Sequence, residues 1–245
     1  MQVTAKTHAG QVRPLNEDYY ALRTLGEQTL LAVICDGMGG AVGGNVASQT
    51  AAQLVEQAVQ AAWRQNSGSR SIKHMLVAAL DNANTQVFDL AHAEGRLSGM
   101  GTTIVAAIIT PQAAYIAHAG DSRAYLYSNG ALLQLTKDHS VVQVMVDAGQ
   151  ITEDEAKSHP RKNLITRVLG VEESLEVDYC EQELANGDVL LFCTDGLTNT
   201  VDLSLGLPLL LQQGEFANLA EDLVALANHN GGTDNITVVA IQIMP

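Results

Sequence analysis

Seven stretches of the chain read as β-strands: VTAKTH, LLAVIC, TTIVAAIIT, AAYIAHAG, AYLY, DVLLFCT and NITVVAIQI. They are rich in Val, Ile, Thr and Ala, and Gly, Asn or Asp bound them. Only Pro111-Gln112 separates TTIVAAIIT from AAYIAHAG, and Ser128-Asn129-Gly130 follows AYLY, so both places predict hairpin turns and hence antiparallel sheet. Between the strand groups, apolar positions recur at helical spacing. Val46, Thr50, Ala51, Leu54, Val55, Ala58 and Ala62 trace one such face, and Ile72, Leu76, Ala79, Leu80, Ala83, Val87 and Leu90 a second. Phe216, Leu219, Ala220, Leu223, Val224 and Ala227 trace a third. Helices grouped apart from runs of hairpin strands predict an α+β layered fold rather than a doubly wound parallel sheet.

One segment breaks this texture. From Lys137 to Gly170 the chain is polar and helical in short pieces, DHSVVQVMVDAGQ, ITEDEAKSHP and RKNLITRVLG, between two strand groups. The expectation is a helical flap inserted at about 137–170 in a single domain spanning 1–245.

Composition narrows the partners. The chain has 245 residues, 47% of them hydrophobic, enough for one sizeable core. Thirteen basic residues against 27 acidic ones give a net charge of −14, which repels nucleic acid and the anionic face of a membrane. No apolar run approaches the roughly 20 residues of a spanning helix, and MQVTAKTHAG does not read as a signal peptide. Cys35, Cys180 and Cys193 have no metal-like spacing and cannot all pair, so a reducing, cytoplasmic setting is expected.

Candidate chemistry lies in the carboxylates. LAVIC runs straight into Asp36-Gly37, and LLFCT into Asp195-Gly196. Glu17 and Asp18 in RPLNEDYY, Asp121 in AGDSRAY and Asp234 in GGTDNIT also stand at strand ends or in turns. A buried carboxylate is costly unless a cation or a full set of donors meets it. If these acids converge, their mutual repulsion must be relieved. An oxygen-rich cluster poor in His and thiolate suits hard divalent ions such as Mg²⁺ or Mn²⁺, and no HxxxH or CxxC pattern favours zinc. Glycine after a strand-end Asp lets the backbone approach an ion closely.

In order along the chain, RPLNED, DGMGG, GMGTT, GDSRAY, DGLT and GGTDNIT resemble the motifs of the PPM family, the metal-dependent type 2C serine/threonine protein phosphatases, in the form of a bacterial single-domain member. The resemblance covers nearly the whole chain. It implies a four-layer α-β-β-α sandwich, two antiparallel sheets packed face to face between helix pairs. It implies two Mn²⁺ or Mg²⁺ ions with Asp36 bridging them, the Gly37 carbonyl on one, and Asp195 and Asp234 on the other. Glu17 and Asp18 match acids acting directly or through bound waters. Asp121, with Asp195, matches the place of a third, weaker ion. Arg13 matches the arginine that grips the phosphate, in keeping with a guanidinium's fork of donors. Thr102 and Thr103 are expected to pack the sheet, and Asn235 to hold a turn or orient Asp234.

The reaction so implied is direct hydrolysis of phosphoserine and phosphothreonine in proteins, without a Ser or Cys nucleophile, in opposition to a protein kinase. Met38 stands where some members carry a His credited with protonating the departing alkoxide, and a thioether donates no proton. The acid is then a metal-bound water or another group, and His159 and His139 in the 137–170 segment are candidates. The alternative reading is a catalytically weak regulatory module that binds phosphoproteins, which loss of the acids would mark; all are present. A metal-dependent nuclease fits poorly with the acidic charge. A monomer is expected.

Overall fold

The computed structural model describes residues 1–65 and 67–244, leaving aside the side chains of 40–42. The chain runs β1 (Gln2–His8), β2 (Asp18–Gly26), β3 (Thr29–Met38), α1 (Gly40–Ala62), α2 (Ser69–Ala93), β4 (Gly101–Thr102), β5 (Ile104–Ile109), β6 (Ala113–Ala119), β7 (Arg123–Ser128) and β8 (Ala131–Gln134). It continues through α3 (Val141–Asp147), α4 (Glu153–Ser158), β9 (Asp178–Glu183), β10 (Val189–Cys193), α5 (Asp195–Thr198), α6 (Leu203–Gln213), α7 (Leu219–His229) and β11 (Ile236–Gln242). One sheet has the order β1-β11-β10-β7-β8; the other is β2-β3-β5-β6-β9, with β4 added beside β3. All the pairings are antiparallel.

The central strands read as continuous apolar runs because both of their faces are buried. Ala32 and Ile34 of β3, Val105 and Ala107 of β5, Phe192 of β10 and Val239 of β11 fill the space between the sheets. Alternate residues face outwards. Leu31, Val33 and Cys35 pack against α1 and α2, and Leu191, Cys193, Val238 and Ala240 pack with residues of α5, α6 and α7. The result is the four-layer α-β-β-α sandwich.

Both hairpin turns form. Ile109 pairs with Ala114 across one, and Ser128 with Ala131 across the other, where Asn129 and Gly130 take the positive φ values, 51° and 81°, that a two-residue hairpin loop needs.

Several details differ from the sequence reading. The buried face of α1 is rotated by about one residue: Ala47, Ala51, Ala52, Val55 and Val59 are buried, whereas Val46, Leu54 and Ala58 lie at its margin and Ala62 is exposed. The rotation brings the small alanines onto the sheet, where the helix packs closely. TTIVAAIIT is broken at Thr103 into β4 and β5. Strands β2, β8 and β9 and helix α6 carry no clear signal. β2, β8 and β9 lie at sheet edges with mixed exposure, and α6 holds Pro208 within it. Between β8 and β9, the 137–170 segment contains α3, begun by the Ser140 side chain, and α4, begun by a Thr152–Glu155 capping box. No helix among the described residues is long and apolar enough to cross a membrane.

Candidate metal centre

Antiparallel pairing places strand ends and strand starts side by side, and this carries the acids to one end of the sandwich. Asp18 opens β2 directly opposite Asp36 near the end of β3. The start of β5 pairs with the end of β6, Ile104 with Ala119, and Asp121 follows two residues later. In the other sheet Cys193 pairs with Val238, so Asp195, just past β10, and Asp234, just before β11, share an end as well. Two threonines join the sheets there: Thr194 and Thr237 each donate a hydroxyl to Asp18 Oδ2, at 2.8 and 2.7 Å.

The crowding is visible in the electrostatics. Asp18 and Asp121 are buried, and each titrates at about 7. For both, burial is the main cause. Repulsion from Asp195 and Asp234 adds to it at Asp18, against the pull of the two threonines. Asp195 and Asp138 add to it at Asp121, against Arg123. Asp36 is pushed well above the usual carboxylate range by burial and then by Asp18, Asp195, Asp121 and Asp234. Asp195 and Glu17 are raised too, chiefly by burial. Glu17 Oε1, Asp18 Oδ1 and Asp121 Oδ1 are buried without a hydrogen-bond partner.

Other residues hold this arrangement. Thr103 takes the Asp36 N–H on its hydroxyl at 3.0 Å and donates its own N–H to the Asp36 carbonyl at 2.9 Å, and Thr102 donates its hydroxyl to the same carbonyl. Asn235 orients Asp234 through its own N–H, at 2.9 Å. Its side chain accepts the Glu17 N–H and donates to the carbonyls of Ala9 and Leu15, tying down the loop that carries Arg13. Asn199 donates to Asp195 Oδ2 at 3.0 Å. Gly37 lies where a Cβ would come within 2.1 Å of the Gly44 carbonyl oxygen and 2.6 Å of the Glu17 carbonyl oxygen, so the end of β3, the start of α1 and the Glu17 backbone meet only because it is glycine. Sequence reasoning missed Thr194, Thr237 and Asn199. Their one signal is adjacency: Thr194 precedes Asp195, Asn199 lies one helical turn after it, and Thr237 follows Asp234 by three.

Arg13 lies beside Asp234, its guanidinium donating to Asp234 Oδ2 at 2.8 Å with half of the side chain exposed. Met38 is exposed. The two candidate acids part company. His159 caps the end of α4 and accepts the Arg161 N–H on Nδ1. His139 is buried, its Nδ1 accepting the Gly120 N–H at 3.1 Å, and burial lowers its pKa. Cys35 and Cys193 face the helices, and burial holds both thiols protonated, Cys193 up to about 12.

The donor set suits hard divalent cations: carboxylate and carbonyl oxygens, two of the acids buried, and three buried oxygens without partners. A cation among them offsets both the burial of these charges and their mutual repulsion.

Comparison with known proteins agrees. The model of a family described as protein phosphatase 2C matches residues 6–234. The serine/threonine phosphatase stp of Listeria welshimeri is 37% identical over 245 residues, covering 99% of this chain and 96% of that protein. The crystal structure of the serine/threonine phosphatase Stp1 from Staphylococcus aureus superposes with a TM-score of 0.93 at 32% identity, over 100% of this chain and 95% of that one. The catalytic domain of the serine/threonine phosphatase PstP, solved with two manganese ions, superposes with a TM-score of 0.82 at 32% identity, over 100% and 98%.

Proposed function

Because the chain belongs to the protein phosphatase 2C family, we propose that it hydrolyses phosphoserine and phosphothreonine in proteins, using Mn²⁺ or Mg²⁺ held by the acids at the end of the sandwich. The observation that carries this reading is the convergence of Glu17, Asp18, Asp36, Asp121, Asp195 and Asp234 with buried, partnerless oxygens among them. Asp36 would be shared by two ions, the Gly37 carbonyl would serve one of them, and Asp195 and Asp234 would serve the other. Glu17 and Asp18 would act directly or through waters, and Asp121 with Asp195 would hold a third, weaker ion. Bound divalent ions acidify water and draw charge from phosphoryl oxygens.

The chain's own residues supply the rest. Arg13, beside Asp234 and half exposed, offers its remaining N–H donors to the phosphoryl oxygens, and it stabilises the charge that develops there. Asp234, already bonded to it, sets the direction of the guanidinium. Thr194 and Thr237 hold Asp18 against rotation, and Thr103 holds the Asp36 backbone. Neither Cys35 nor Cys193 takes part, because both are buried as thiols. His159, the more exposed of the two candidate histidines, is the one kept as a proton donor to the departing alkoxide.

A cavity of about 1080 Å³ reaches from Asp121 and Asp195 past Arg123, Asp138, Lys162 and Asn199. The phosphopeptide is assigned to it, with the 137–170 segment as a flap along its side. Phosphoproteins made by a serine/threonine kinase are the matching substrates. Three free cysteines among the described residues accord with a cytoplasmic setting.

Purified protein with Mn²⁺, offered a phosphothreonine peptide, p-nitrophenyl phosphate and DNA, tests this. Release of phosphate from the peptide, abolished by Asp36→Asn, is expected. Tight binding of the peptide without turnover would instead make the chain a phosphoprotein-binding module, and DNA cleavage would make it a nuclease.

A further inference from the structure

Behind Asp121 lies a second cluster: the ligand atoms of His118, His139 and Asp178 lie within 4.8 Å of one another, a spacing that a metal ion could use. The hydrogen bonds assign it otherwise. His139 Nδ1 accepts the Gly120 N–H at 3.1 Å, so in the neutral ring the proton sits on Nε2, facing Asp178 Oδ2 at 3.2 Å. A protonated nitrogen cannot coordinate. A cation is also already in place: the Arg167 guanidinium lies 3.0 Å from His139 Nε2, bonded to Asp178 Oδ1 at 2.8 Å and to Glu176 at 3.0 Å. The His118 ring stacks on His139, centroids 4.8 Å apart and planes within 8°, and parallel rings do not aim their in-plane lone pairs at one ion.

The cluster points instead at Gly120. His139 grips it twice, donating its own N–H to the Gly120 carbonyl at 2.9 Å while its ring accepts the Gly120 N–H. Gly120 has φ +110°, and a Cβ there would meet Thr103 Cβ at 2.6 Å. On the far side of Asp121, the Ser122 hydroxyl bonds to the Thr103 hydroxyl at 2.7 Å, and that same threonine takes the Asp36 N–H. Asp121 is thus bracketed by two anchored neighbours, while its own Oδ1 is buried without a partner. The backbone on either side, and not a side-chain bond at that oxygen, fixes where it points.

We propose that His139 is a positioning residue for Asp121: with Asp178 fixing its tautomer and Arg167 holding Asp178 in place, it clamps Gly120 and so orients the Asp121 carboxylate for the weaker ion. This rests on the metal-dependent phosphatase reading. Groups that orient metal ligands typically contribute 10- to 100-fold to ion affinity.

Three substitutions separate the two ends of the imidazole. In His139→Asn the amide oxygen stands near Nδ1 and keeps the Gly120 bond. In His139→Gln the amide reaches toward Asp178 and leaves the Gly120 N–H without an acceptor. His139→Ala loses both. Manganese uptake, followed by calorimetry and by the paramagnetic signal of free Mn²⁺, is compared with the wild type and with Asp121→Asn. The wild type is expected to show tight uptake and a weaker step, and Asp121→Asn to lose the weaker step alone. His139→Gln and His139→Ala weaken that step about tenfold or more, and His139→Asn stays within about threefold of wild type. A weaker step unmoved in Gln and Ala, a loss confined to Asn, or equal losses in both steps would overturn the inference, as would zinc uptake that His118→Ala abolishes. Wild-type protein taking up no manganese would overturn the phosphatase reading as well; normal wild-type uptake with an unaltered Gln variant would overturn the His139 role alone.

Discussion

Replacing Asp18 with Asn separates what the acids do for the fold from what they do for an ion. Asp18 is buried, with Oδ2 held by Thr194 and Thr237 and Oδ1 without a partner. Its titration lies near pH 7 instead of the ordinary 3.8, burial being the main cause. The folded pKa is raised, so the folded protein holds this proton more tightly than the unfolded chain. Its stability is therefore unaffected below about pH 4 and declines as pH rises from there to about 7. At about 1.4 kcal/mol per pH unit, the full decline is on the order of 4 kcal/mol. Asparagine keeps an oxygen for both threonine hydroxyls and places an amide N–H₂ where Oδ1 faces the other acids, so it escapes most of this cost. Discounting for strain at the new amide leaves about 2–4 kcal/mol, or roughly 5–15 °C in Tm for a chain of this size. Differential scanning fluorimetry with EDTA at pH 8 should show Asp18→Asn melting above the wild type, and the gap should close toward pH 4.5. Added Mn²⁺ should raise the wild type more than the variant. A variant melting at or below the wild type in EDTA at pH 8 would refute the reasoning, because the acids would then not be in conflict.

The wild type itself should melt at lower temperature in EDTA as pH rises from 4.5 to 7.5, since Asp121 as well as Asp18 titrates at about 7; Mn²⁺ should flatten or reverse that slope, and identical slopes would count against ion binding by these groups. Arg13→Ala should lower kcat/KM for a phosphothreonine peptide roughly 10- to 100-fold, the worth of a charged hydrogen bond, while moving Tm little, because the pair with Asp234 is partly exposed to water. Unchanged kcat/KM would remove Arg13 from the site. Gly37→Ala must push a methyl into the Gly44 carbonyl at 2.1 Å; an expected loss of about 1–3 kcal/mol in urea unfolding, with weaker manganese uptake, checks that the close backbone approach is required.

The sequence shows its layers best where burial is most complete. β3, β5, β10 and β11 are legible because both faces of each are covered, and α2 and α7 because one face is apolar over several turns. The strands β2, β8 and β9 are not, because an edge with mixed exposure carries neither a continuous apolar run nor a clean alternation. At the site, Asp36, Asp121 and Asp195 announce themselves by following apolar runs, and Asp234 by preceding one. Nothing in the chain order says that Thr194 and Thr237 both reach Asp18, since this depends on how one sheet lies over the other. His139 shows the reverse case. Its place in a polar segment reads as an exposed acid, yet the fold buries it against Gly120, with Asp178 and Arg167 about its ring.

The claim beneath all of this is that opposed carboxylates at one end of the sandwich exist to hold divalent cations. Equilibrium dialysis against Mn²⁺ at pH 7.5, wild type beside Asp36→Asn, tests it most directly. The account predicts at least two ions retained per wild-type chain and a clear deficit in the variant. Equal retention by the two proteins would contradict it.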